Sequence, residues 1–259
     1  MNSKSDIFLS VVIPSYNEAT NFKSGCLNDI LPYLEQQKYH YELIFSDDGS
    51  TDETISLLKS FISKNQPKLK YGTITLLANK HGGKTSAVKN GVKHAKGEWR
   101  LFTDFDQSTH IKEIEKLLPY TDKGYDIIFG SRKINPKTVE AKWYREFIGN
   151  TFNLIVRKIT DLKIKDTQCG FKLFSKKGAD LFDKLYVYDP KRVSETGAFT
   201  GAFDVELFVI AKVQNLKVKE VPIRWQHHDT NRVNIVKDSA RMFSDVIKIR
   251  RAKRKDLYK

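Results

Sequence analysis

The chain has 259 residues, 40% hydrophobic and 29% charged, with a formal net charge of +14. That mixture can bury a core and excludes a disordered or low-complexity chain. The two cysteines, Cys26 and Cys169, are too few for a metal-binding quartet and are expected as reduced thiols. The charge points to a polyanionic partner (nucleic acid, a membrane surface or a phosphorylated substrate) or to a solvated basic surface.

The opening apolar run, "IFLSVVIP", falls short of the roughly 18 apolar residues a membrane span requires and is expected as a buried first strand. Strands are predicted at Leu9–Pro14, Tyr41–Ser46, Thr73–Leu77, Trp99–Thr103 and Asp126–Gly130. Helices are predicted between them over Phe22–Gln37, Thr51–Lys64, Lys84–Ala95 and Ile111–Leu118. This alternation implies an α/β fold, a mostly parallel sheet with helices on both faces. From about Asn135 the pattern changes to a helical stretch, Trp143–Thr160, then "DTQCGFKLF" and a short helix near Lys177–Leu185. A glycine-containing segment, "ETGAFTGAFDVELFVIAKVQN", and a strand within "KVKEVPIRW" follow.

The chain closes with an amphipathic helix predicted over Val236–Lys255. No linker divides the halves, so the expected organisation is one domain over residues 1–235 and a basic C-terminal helix or tail over 236–259. Met242, Phe243, Val246, Ile247 and Ile249 are spaced as one apolar face, with Arg241, Lys248, Arg250 and Arg251 around it. Such a face suits either an anionic lipid surface or the protein's own sheet.

In an open parallel sheet, ligands bind beyond the carboxyl ends of the strands. The candidates are therefore "PSYNE" after the first strand, "DDGSTDET" after the second, "KHGGKTSA" before a helix, and "DFD" after "WRLFT". Asp104 and Asp106 of "DFD" are two carboxylates able to reach one hard divalent cation, whose use would be to neutralise charge on a departing diphosphate. In "DDGSTDET" an Asp-Gly turn with Ser50 or Thr51 as helix cap and Glu53 in the first turn accounts for part of the motif. Asp47 and Asp48 remain, and a carboxylate there can accept from a base N–H or ribose hydroxyls. "HGGKTSA" fails the Walker spacing, because Ala78 stands where a glycine is required. Gly82, Gly83 and Lys84 still suit an anion at a helix start.

Taken together, "VVIPSYNE", "DDGSTDET", "GGKTSAVKNGVKHAKGE", "DFD", "FGSR", "DTQCGFKLF", "FDVEL" and "EVPIRW" resemble the family-2 glycosyltransferases of the GT-A (Rossmann-like) fold. The likeness runs from about residue 9 to residue 225 and is strongest to polyprenyl- and dolichyl-phosphate sugar synthases, the later motifs to the dolichyl-phosphate glucosyltransferase branch. The resemblance implies an inverting, metal-dependent enzyme that moves a hexose, glucose favoured, from a nucleotide-sugar (a UDP-sugar, or GDP-mannose) to a lipid phosphate. It implies Pro14, Tyr16 and Glu18 around the nucleotide, Asp47 or Asp48 near the base, Lys84 at the donor diphosphate, and Asp104 and Asp106 on Mg²⁺ or Mn²⁺. Arg132 and Arg232 would bind the acceptor phosphate, and Asp166, Gln168 and Asp204 would line the sugar and acceptor side. Phe105 departs from the D-A-D common in the family, and Arg232 from a common lysine. The expected location is the cytoplasmic face of an anionic membrane, peripheral, with no nucleic acid partner. Two other classes are weighed against this. A sugar nucleotidyltransferase would carry a glycine-rich signature near the first strand. A nucleic-acid-binding protein would fit the charge, without any RNP-like or zinc-finger spacing here. A transferase acting on a soluble saccharide stays open.

Overall fold

The computed structural model describes residues 6–135, 139–140, 154–189, 202–226 and 235–259, with backbone alone at 139–140 and 235–240. Its principal elements run β1 (Leu9–Ser15), α1 (Ala19–Lys23), α2 (Ile30–Gln36), β2 (Tyr41–Asp47), α3 (Thr54–Asn65), β3 (Gly72–Ala78), α4 (Gly83–His94) and β4 (Trp99–Thr103). Two 3₁₀ stretches, Ile111–Lys116 and Leu118–Lys123, lead to β5 (Ile127–Ser131), β6 (Val139–Glu140), α5 (residues 154–160), β7 (Phe171–Ser175) and α6 (Lys176–Ala179). A 3₁₀ turn, Asp180–Lys184, precedes α7 (Phe203–Val213), β8 (Val218–Pro222), β9 (Trp225–Gln226) and α8 (Ile235–Arg254).

Seven strands form one sheet in the order β3-β2-β1-β4-β7-β5-β8. All neighbours are parallel except β7, which runs antiparallel to both β4 and β5. β1 and β2 are buried along their whole length, as strands covered on both faces must be. Alternation along the strands sends side chains to two cores. Val12, Ile44, Phe102, Phe129 and Phe174 join α4, α7 and α8 on one face. Val11, Ile13, Leu43, Phe45, Leu101 and Leu173 meet α2, α3 and the first 3₁₀ stretch on the other.

The predicted strands fall within one residue of those observed at each end. The predicted helix over Phe22–Gln37 is instead two, because Gly25, at φ +83°, turns the chain between α1 and α2. The segment after His110 winds as 3₁₀ rather than α-helix, and Pro119 lies at the start of its second stretch. Of the stretch Trp143–Thr160, only residues 154–160 are described, and they are helical.

The C-terminal helix is docked. Val246, Ile249 and Ala252 are buried in the core that contains α7, and Tyr258, past the helix end, is 1% exposed. The apolar face expected over Met242–Ile249 is thereby divided, since Val246 and Ile249 turn inward while Phe243 stays 42% exposed. A buried carboxylate fixes the arrangement. Glu206 of α7 accepts the backbone N–H groups of Tyr186, Val187 and Tyr188 at 2.7–2.9 Å and the Tyr258 hydroxyl at 2.7 Å. The Tyr188 hydroxyl donates to Asp245 of α8 at 2.6 Å and accepts the N–H of Ala202 at 2.5 Å.

Helix α4 lies on β1 and β2 at Gly91, where a Cβ would overlap Val12 Cγ1 and crowd Ser46. Gly91→Val is expected to lower stability by about 1–3 kcal/mol through overpacking, read as a lower denaturant midpoint.

Candidate active site

The loops after β1 and β2 are stitched into one unit. The Asn17 N–H donates to Ser50 Oγ at 2.9 Å, and Asn17 Oδ1 accepts from Thr51 N at 2.8 Å. The Glu18 N–H donates to Thr54 Oγ1 at 2.7 Å, and the Ala19 N–H to Asp52 Oδ2 at 3.1 Å. Asn17 holds φ +52°, a left-handed conformation asparagine tolerates. Neither Ser50 nor Thr51 caps α3 as anticipated: Glu53 stands at its N-cap position without a side-chain cap, and Asp52, one residue earlier, accepts the Thr54 N–H on Oδ1 at 2.9 Å. Ser50 is occupied elsewhere: its N–H and hydroxyl both go to Asp47, at 2.8 and 2.5 Å, and Ser15 Oγ adds a third donor at 2.8 Å. Asp47 is thus fully buried and turned into the loop it supports.

Asp48, 2% exposed, sits at the start of α4. Its oxygens accept the N–H groups of Gly82 and Gly83, each at 2.9 Å, and pair with His81 Nδ1 at 2.9 Å. The anion expected at this helix start is therefore supplied by the protein itself. The His81 ring stacks on Tyr16, with centroids 4.6 Å apart. Pro14 lies within β1, past the last β1–β4 pair, and Glu18 is held by Asn21 at 2.5 Å.

Lys84, in the first turn of α4, reaches across the sheet edge to Asp104 Oδ1 at 2.6 Å. Burial works against its charge, but Asp104, Asp204 and Asp106 outweigh it and hold the ammonium above its ordinary pKa. Phe105 between the two acids turns into the opposite core, where it packs near Phe45, so the bulky middle residue leaves Asp104 and Asp106 at the edge. Asp106 Oδ1 accepts the Ser108 N–H at 3.0 Å. Behind Asp104 stands Gly170, where any Cβ would overlap the Asp104 carboxylate.

On the β5 side, Arg132 forks onto Asp166: Nε to Oδ2 at 2.8 Å and Nη2 to Oδ1 at 2.9 Å, with the Arg132 backbone N–H adding 2.9 Å to Oδ2. Burial would raise the Asp166 carboxyl, but Arg132 overrides it and holds the group below the usual carboxylate range. The guanidinium also lies over Trp225, 5.4 Å from the ring centroid. Asp204, in the first turn of α7, pairs with Lys172 at 2.7 Å. Lys172 is 1% exposed, donates to the Cys169 carbonyl and sits near the Phe102 and Phe208 rings. Burial raises Asp204, countered by Lys172 and Lys84 and reinforced by Asp104. Gln168 Nε2 contacts Met242 Sδ of α8 at 3.8 Å. Cys26 and Cys169 are free, and burial pushes both thiols up to about 12, which keeps them protonated and unreactive. Arg232 lies outside the described residues.

Asp104, Asp106, Lys84, Asp204 and Lys172 are thus brought together, with Arg132 and Asp166 alongside. Tyr16, His81 and Asp48 form a separate group towards β3. Sequence reasoning missed Lys172 and His81. A lysine inside the buried run "CGFKLF" was the signal for the first, since a buried ammonium must be paired. Among the described residues no three His, Cys, Asp or Glu side chains converge as a ready metal cage. Asp104 and Asp106 are nonetheless oxygen donors at a partly open edge. As oxygen donors, they are of the type that would suit a hard divalent cation, which would need further oxygen ligands from elsewhere.

The sequence model described as Glycosyl transferase family 2 matches residues 10–182. The dolichyl-phosphate beta-glucosyltransferase of Dictyostelium discoideum is 33% identical over 264 residues, spanning 96% of this chain and 76% of that protein. The Saccharomyces cerevisiae enzyme of the same name is 34% identical over 265 residues, spanning 95% and 75%. Among solved structures, glucosyl-3-phosphoglycerate synthase from Mycobacterium tuberculosis, in complex with UDP, aligns with a TM-score of 0.61 at 15% identity, over 94% of this chain and 80% of that one. The mannosyltransferase PcManGT from Pyrobaculum calidifontis, in complex with GDP-Man and Mn²⁺, aligns at 0.52 and 17%, over 89% and 59%. These neighbours share the GT-A fold. With the family match covering most of the chain and curated relatives above 30% identity along nearly all of it, this protein belongs to glycosyl transferase family 2.

Proposed function

We propose that this glycosyltransferase moves glucose from UDP-glucose to dolichyl phosphate, with inversion at the anomeric carbon. The observation that carries the reading is the pair of cationic side chains set apart along one sheet edge. Lys84 stands at the β4 side and Arg132 at the β5 side, each anchored by a carboxylate. Two anionic reactants need two such places, and the names of the curated relatives supply the sugar and the lipid.

In this reading Tyr16 and His81 offer a stacked aromatic wall to the nucleobase, and Lys84 faces the donor diphosphate. Asp104 and Asp106 would hold Mg²⁺ or Mn²⁺, which supplies charge neutralisation to the leaving diphosphate. Asp166 takes two of the five guanidinium N–H donors of Arg132 and leaves the others for the acceptor phosphate. A phosphate oxygen of the acceptor attacks the anomeric carbon as the bond to the UDP β-phosphate oxygen breaks, giving glucosyl phosphoryl dolichol and UDP. That oxygen is already anionic at neutral pH, so neither Asp166 nor Asp204 has to remove a proton. Asp204, held by Lys172, lines the sugar side. The acceptor is a membrane lipid, so the work takes place at a bilayer surface. Among the described residues no helix is long and apolar enough to cross one.

The test is a donor screen with Mg²⁺ or Mn²⁺, UDP- and GDP-sugars and a short polyprenyl phosphate, the lipid analysed by mass spectrometry. UDP-glucose is expected to yield the glycosylated lipid, and Asp106→Asn to slow transfer by about 100- to 1,000-fold, the scale for losing a preorganised electrostatic group. Nucleotide release without lipid product would move the acceptor to another class. Gly170→Ala, which displaces Asp104, is expected to cost about 100-fold in kcat through misplacement alone; wild-type kcat would show that the position of Asp104 does not matter.

Arg132→Gln strands the buried Asp166 and is expected to cost about 3–5 kcal/mol of stability as well as transfer. The sign with pH follows from the depressed Asp166 carboxyl. Its contribution is present above the ordinary aspartate value of about 3.9 and is lost as pH falls through the lower folded value. Urea midpoints measured from neutral pH downward should therefore fall in acid more steeply for the wild type than for Arg132→Gln.

A further inference from the structure

Helix α8 has two faces of opposite kind. Val246, Ile249 and Ala252 are committed to the core. On the other side Phe243, Ile247, Arg250 and Arg254 recur at helical spacing, with Arg251 beside them. Phe243 is 42% exposed, Ile247 half-buried, and all three arginines are exposed. Their charge is not cancelled locally. Lys248 is neutralised by Asp245 and Lys259 by Asp256, whereas among the described residues no carboxylate pairs with Arg250, Arg251 or Arg254. The apolar end of this stripe adjoins the site, because Met242, the residue before Phe243, contacts Gln168 two positions from Asp166.

We propose that this outward stripe docks on an anionic phospholipid bilayer, with Phe243 and Ile247 at the interface and Arg250, Arg251 and Arg254 on the headgroups. This rests on the lipid-acceptor reading above and gives it an orientation, in which the site-proximal end of α8 lies at the membrane surface from which the acceptor phosphate is taken. A stripe of one aromatic and one aliphatic residue joined to arginines is the chemistry of a helix lying in the headgroup layer. A nucleic acid would use the arginines and leave the apolar end idle. Contact is shallow by construction, since the inner face of α8 is already buried. The proposed helix lies flat and does not peel away from the body.

The experiment is co-sedimentation of the full chain, without donor or acceptor, with vesicles of phosphatidylcholine alone and of phosphatidylcholine with phosphatidylserine. Binding is expected only with phosphatidylserine. It should fall about 100-fold in R250Q/R251Q/R254Q, the product of three arginines at about 1 kcal/mol each, and several-fold in Phe243→Ser. A second triple variant, K59Q/K64Q/K68Q, removes the same charge from exposed positions on and just after α3 and should bind as the wild type does. Equal losses in the two triple variants would overturn the stripe in favour of net charge. Unchanged binding in the arginine variant would overturn it outright, as would retention of a single-stranded RNA oligonucleotide with no vesicle binding. A thermal melt of each variant separates these outcomes from misfolding. Because lipid glycosylation is read separately in solution with a short-chain acceptor, a failed stripe leaves that assay standing, and a failed assay leaves the vesicle result standing.

Discussion

Carboxylates gathered at one end of a sheet repel one another and lose hydration, so each must be met by a donor if the fold is to close over it. Asp47, Asp48, Asp166 and Asp204 are all nearly or wholly buried along the carboxyl edge. Each is met differently: Asp47 by two serines, Asp48 by backbone N–H groups at a helix start, Asp166 by a forked guanidinium and Asp204 by a buried ammonium. The partners come from different elements, so meeting the charges also ties β1 to β2, β2 to α4, β5 to the segment before β7, and β7 to α7. The same ion pairs and hydrogen bonds that meet these charges hold the strand ends together.

The pairs differ in what they leave available. Asp47 is taken up by Ser15 and by Ser50 of its own loop, and Asp48 by the start of α4 and by His81, so both carboxylates are engaged beneath Tyr16 and His81. Lys84 and Asp104 remain about one-third exposed at the side chain, 29% and 35%, and so can still meet a ligand. Arg132 spends part of its fork on Asp166 and retains the rest. The gradient runs from β2, where acids are structural, to β4 and β5, where charged groups are open enough for chemistry.

Much of this was legible in the amino-acid order. Period and turn chemistry located the first five strands, and the polar residues after them do gather at one edge of the sheet. Three features were not legible, each for a physical reason. β7 enters antiparallel between two parallel strands, and pairing direction leaves no trace in a strand's own residues. The role of Lys172 depends on α7 delivering Asp204 from thirty-two positions away. The apolar residues of α8 looked like one face because spacing reports which residues share a helix side only to within a turn. Burial shows instead that Val246 and Ile249 belong to the core and Phe243 to the surface. The middle residue of "DFD" departs from the pattern common in the family, and in the turn after β4 its ring is buried in the core near Phe45.

The hydroxyl of Tyr188 joins Ala202 to Asp245, and so brings the two margins of the segment between residues 189 and 202 to one point on the body of the protein. Closing a chain segment has an entropic cost that grows only slowly with its length. Here the closure is set by a clamp lying outside the segment. The first turn of α7, where Asp204 is held, is thereby tied to α8 through a single hydroxyl.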